Sequence, residues 1–235
     1  MSLFRHTNPV INSVSSEGAY AADRVTYLNV ALRTLILIGL AVVSAYVTIG
    51  YLAEIGFGVL IGAVVIGFIS VIIGTRSVRL APYFAILYAL SEGVLLGFIS
   101  FIFAALYEGI VPTAIMTTVI VLLVMLLLYS SGVIKVTRRF ASIMVVALIS
   151  VIIMSIVPMI IPSLYYSGLY FLICGVSAVL SALFLLLDFE SIKTCVEMGT
   201  DQRYGWVLAL GLMVTLVWIY FEILRLLAIF ARNRK

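Results

Sequence analysis

Charge is what this chain has least of. Asp, Glu, Lys and Arg make up only 10% of its 235 residues, against about 25% in ordinary soluble domains, so no water-facing shell can be built from it. A single histidine, His6, lies in a polar N-terminal stretch, which is too few imidazoles for a His-based metal site or a Ser-His-Asp triad. Two cysteines are present, Cys174 in an apolar run and Cys195 in a polar loop; with no CxxC spacing, both read as structural. No lysine lies inside any apolar segment to form a Schiff base, and no Ser/His or paired-Asp protease motif is found. These absences set aside a retinal-type photoreceptor and an intramembrane enzyme. Residues 1–28 lack the apolar core and small-residue cleavage site of a secretory signal peptide, so they read as a retained cytoplasmic tail.

What remains is hydrophobic: 65% of the chain. A helix needs about 20 mainly apolar residues to cross the hydrocarbon core of a bilayer. Seven such segments can be drawn, Asn29 to Leu52, Gly56 to Gly74, Ala81 to Tyr107, Pro112 to Gly132, Phe140 to Ile161, Tyr165 to Phe189 and Trp206 to Phe230. The expected fold is an all-α integral membrane protein with about seven transmembrane helices in one bundle. It divides into a polar tail (1–28), the membrane domain (29–231) and a basic C-terminal tail (232–235). Pro82 and Pro112 fall at segment starts, where a missing N–H costs nothing, and Pro158 and Pro162 are expected to end the fifth segment before a tight turn.

Basic residues set the orientation. Arg5, Arg24, Arg76, Arg79, Lys135, Arg138, Arg139, Lys193 and Arg203 all fall in loops on one side, while the loops around Glu54, around Glu108 and from Pro162 to Gly168 contain no Lys or Arg. The N-terminus should therefore be cytoplasmic. Seven spans then put Arg232, Arg234 and Lys235 on the unfavoured side, so either the last segment does not fully cross or the internal loops outvote the tail. The net charge of +4 suits anionic headgroups rather than nucleic acid. Small residues mark candidate helix contacts, since close backbone approach must replace a hydrophobic drive in lipid. They are Gly58, Gly62 and Gly67, the Gly93/Gly97 pair, and Gly175, Ala178 and Ala182. Packing within one chain is the expected use, ahead of dimerisation.

Ionisable groups within or near the spans carry the functional information, because each costs about 2.5–3.5 kcal/mol at a helix centre on insertion scales. Arg33 and Arg225 have stems long enough to snorkel or to form structural ion pairs. Glu222 and Arg225 are three residues apart on one helix and can pair with each other. Glu190 reads as a solvated interfacial group. Glu92 and Asp188 are short carboxylates that must be protonated, paired or facing water. Two buried carboxylates sharing a site would hold one proton between them; losing it would replace a hydrogen bond with repulsion and open a path lined by oxygens suited to a hard cation. Glu92 is then a pore-lining or helix-packing residue.

Three stretches in order, SEGVLLG in the third segment, LLLDFESI in the sixth and TLVWIYFEILRLLA in the seventh, resemble the Bax inhibitor-1 family, also called the transmembrane BAX-inhibitor-motif family. An N-terminal NPV followed by a Thr-Tyr pair extends the resemblance, which is closest to a bacterial branch. The resemblance implies a seven-helix bundle in a bacterial inner membrane, a pH-dependent calcium leak, and a sensor of two acidic residues that also offer oxygens to the ion. Asp188 matches the first sensor position. The second is Glu222, if the loop between the last two helices is longer than usual in the family, or Thr215, in a register anchored on Arg225. The arginine that the family's leak proteins place in helix two has no counterpart here. No cofactor is implied beyond transient calcium. The expected partners are the bilayer and calcium or another cation. In the competing reading the protein does not transport but modulates a membrane-embedded quality-control protease through its tail and helix surfaces.

Overall fold

The computed structural model describes residues 24–51, 56–163 and 168–233. Seven helices lie within them: α1 (Tyr27–Gly50), α2 (Phe57–Arg76), α3 (Ala81–Leu106), α4 (Ile110–Ser130), α5 (Arg138–Ile160), α6 (Gly168–Glu197) and α7 (Tyr204–Asn233). All seven are long and apolar enough to cross a membrane. The expected polar tail lies outside the described residues up to position 23, as do Glu54, Arg234 and Lys235. At 30 residues, α7 is about 45 Å long, long enough to cross in full.

Helix ends follow local chemistry. The Thr26 hydroxyl accepts from the Asn29 N–H and that of Thr137 from the Phe140 N–H, each at 3.2 Å, capping α1 and α5. Pro82 sits in the first turn of α3. Pro158 behaves differently from expectation, because α5 runs through it to Ile160. In a last turn the proline forfeits only one helical hydrogen bond. The sixth helix also runs eight residues past the expected end at Phe189, carrying Glu190, Lys193 and Glu197 in regular helix, where Lys193 and Glu197 approach to 3.9 Å.

In the bundle α7 is central, touching α1, α2, α3, α4 and α6, whereas α5 touches only α6 among the described helices. The α1–α3 pair shows why the Gly93/Gly97 spacing is needed. A Cβ on Gly93 would come within 2.5 Å of the Ala41 carbonyl oxygen, and one on Gly97 within 2.5 Å of the Ala45 carbonyl oxygen. Ser44 adds a hydrogen bond from its hydroxyl to the Leu90 carbonyl at 2.7 Å. The other small residues do less. Gly58, Gly62 and Gly175 have no neighbour within 4 Å of where a Cβ would sit, so among these glycines backbone-level packing is confined to α3.

One junction ties the basic helix ends together. The Val25 N–H donates to the Thr200 carbonyl at 2.8 Å, the backbones of Arg24 and Asp201 pair in an isolated antiparallel bridge, and Gly199, at φ +64°, packs against the Arg24 side chain. The lead-in to α1 therefore holds the turn between α6 and α7.

Candidate functional site in the seam between α6 and α7

Asp188 lies on α6, nine residues before its end at Glu197, and faces α7. Its Oδ1 is 3.8 Å from the position a Cβ on Gly211 would take, and Thr215, one turn further along α7, is the polar side chain set against it. Its Oδ2 is wholly buried and has no hydrogen-bond partner. An unpartnered carboxylate oxygen in a dry seam is costly, and Asp188 is the only acidic residue among those described with an oxygen in that state.

Glu222 occupies a different level. Its Oε1 accepts from the Ser177 hydroxyl at 2.7 Å and the Trp218 indole N–H at 3.2 Å, and its Oε2 lies 3.3 Å from the Arg225 guanidinium. Glu222 is 5% exposed, and Arg225 also reaches Cys174 and Tyr170 on α6. Ser177 and Asp188 are eleven residues apart on one helix, about 16 Å along its axis, so the structure does not bring Asp188 and Glu222 together. Their expected sharing of one proton or one ion is not formed, because the carboxylate of Glu222 is saturated by neighbours at its own level. Between the two polar levels lie buried Leu185 and Ile219, one turn from Asp188 and Thr215 on the same faces of their helices. Thr215, and not Glu222, is the residue set against Asp188.

Arg33 has no ion-pair partner among the described residues. It donates to the Gln202 carbonyl at 2.5 Å and stacks 5.2 Å from the centre of the Trp206 ring, clamping α1 to the start of α7. That carbonyl belongs to a turn and carries no signal in sequence. Glu92, on α3, points at α2, where its Oε2 is 3.6 Å from the Cβ position of Gly67 beside the Ser91 hydroxyl. It stands in a different seam from Asp188. Glu190 is not merely solvated, since it accepts the Tyr129 hydroxyl at 2.7 Å. Ser177 and Trp218, which hold Glu222, escaped a reading of charges alone; Trp218, four residues before Glu222 on α7, was signalled by helical spacing, whereas Ser177 lies on α6 and was not.

The arrangement defines a class first: a seven-helix membrane protein whose central helix shares with its neighbour an unpaired acidic residue. The family follows from comparison. The profile of the Bax inhibitor 1 like family matches residues 8–232, nearly the whole chain, and the protein belongs to that family. A search of curated proteins finds no match.

Proposed function

We propose that the protein is a pH-sensitive leak pathway for calcium or a similar cation, gated at Asp188. The observation that carries this reading is the partnerless, buried Oδ2 of Asp188 opposite Gly211 and Thr215. A neutral aspartic acid can remain in a dry seam, whereas an aspartate there must gain water or a cation. Ionisation would therefore favour a hydrated, separated seam and supply a hard oxygen ligand to the passing ion. No second carboxylate faces Asp188 among the described residues, so the gate is a single acid against a hydroxyl rather than a pair of acids. The sign follows: flux grows as pH rises and Asp188 loses its proton, with the steepness of one proton rather than two. Family membership supports the reading at the level of a membrane protein of this family.

The test is calcium flux into liposomes over a pH series. Asp188→Asn, which cannot ionise, should flatten the pH profile at low flux, while Glu222→Gln should leave its midpoint in place. Absence of flux at every pH from well-folded protein would sink the leak, and an unchanged profile in Asp188→Asn would sink the gate.

A further inference from the structure

Between Glu108 and Asp188 the sequence contains no acidic residue, yet the turn from α4 into α5 and the first turn of α5 carry Lys135, Arg138 and Arg139. All three are exposed, and none has an ion-pair partner among the described residues. Among the described residues the only helix against α5 is α6, and two acidic side chains at that end of α6 are engaged: Glu190 with Tyr129 and Glu197 with Lys193. Among the described residues no acidic side chain pairs with this patch.

The patch is also shaped. Arg138, Arg139, Ser142 and Ile143 border one wide-open hollow on the surface of α5, and Ser142 is held in place by donating to the Arg138 carbonyl at 3.0 Å. From its rim the exposed residues Ile143, Val146, Ile149 and Ile153 run up one face of α5, at the three- and four-residue spacing that forms a continuous helical stripe. The guanidiniums of Arg138 and Arg139, which border the same hollow, offer planar donor forks to the oxygens of a phosphate, and an apolar stripe leading away from them matches acyl chains.

We infer that this end of α5 is a binding site for an anionic phospholipid, with its phosphate between Arg138 and Arg139, Lys135 at the rim and its chains along the Ile143 to Ile153 stripe. Charge complementarity selects this occupant over a zwitterionic lipid, since each basic residue near an anionic surface contributes roughly a fivefold gain in association. The lipid would brace a helix that otherwise rests on a single neighbour. The inference is independent of any transport.

Native mass spectrometry of the detergent-solubilised protein with equimolar phosphatidylglycerol and phosphatidylcholine of the same chain length tests it. Wild type should retain phosphatidylglycerol preferentially, and Lys135→Gln/Arg138→Gln/Arg139→Gln should lose roughly a hundredfold in phosphatidylglycerol affinity. Arg76→Gln/Arg79→Gln, which removes charge from a different loop, should keep the preference. Ile143→Trp fills the hollow at an exposed position with every charge intact, and should weaken retention even if the triple variant fails to fold. Equal retention of both lipids by wild type overturns the inference, and so does a preference that survives in Ile143→Trp or in a folded triple variant.

Discussion

At the scale of the residue, the contrast between Asp188 and Glu222 shows that burial of an acid says little until its partners are known. Glu222 has three donors, from Ser177, Trp218 and Arg225, and acts as a fastening between α6 and α7. Asp188 has an oxygen with none. The fastening makes a stability prediction. Arg225→Met should destabilise the protein by about 2–4 kcal/mol, the lower part of the range reflecting the 37% exposure of the Arg225 side chain, because Glu222 is left charged and buried. Glu222→Gln/Arg225→Met should recover at least half of that loss, since no charge then remains uncompensated. Thermal unfolding in detergent measures both. Equal losses in the single and double variants would mean that the ion pair is not what holds this level of the seam.

At the scale of the element, glycines of the same type in the same kind of helix have opposite consequences. Gly93 of α3 meets the backbone of α1, whereas Gly62 of α2 meets nothing within 4 Å. Gly93→Ala should push α1 and α3 apart at a cost of about 1–3 kcal/mol, the range for overpacking a filled contact. Gly62→Ala should be neutral or stabilising by up to about 1 kcal/mol, through the higher helix propensity of alanine. Chemical unfolding of the two variants side by side checks the pair, and a destabilised Gly62→Ala would show that α2 has a contact partner at that level. Helix α5 stands apart from the other six by touching only α6, which is why a lipid at its basic end has mechanical meaning.

At the scale of the whole molecule, α7 is the axis around which five helices are arranged, and both candidate polar levels lie on its face toward α6. Among the described residues the N-terminal junction enters this core through Val25 and Arg33. If the conducting path runs through the helix bundle, removing residues 1–23 should leave cation flux and its pH profile unchanged in liposomes, and a loss of flux would shift the balance toward a protein that works through partners held by its tail. Much of the architecture was legible without coordinates. Seven apolar runs set seven helices because each backbone polar group in lipid must be satisfied within its own helix, and helix starts at Pro82 and Thr137 follow from local chemistry. Asp188 was legible too, as a short charged side chain where an inert bundle would carry none. Which acids share a level was decided by the tertiary structure alone. Glu222 and Thr215 are two turns apart on one face of α7, so periodicity could not choose between them; the packing of α6 against α7 chose, setting Thr215 and Gly211 beside Asp188 and giving Glu222 to Ser177 and Arg225.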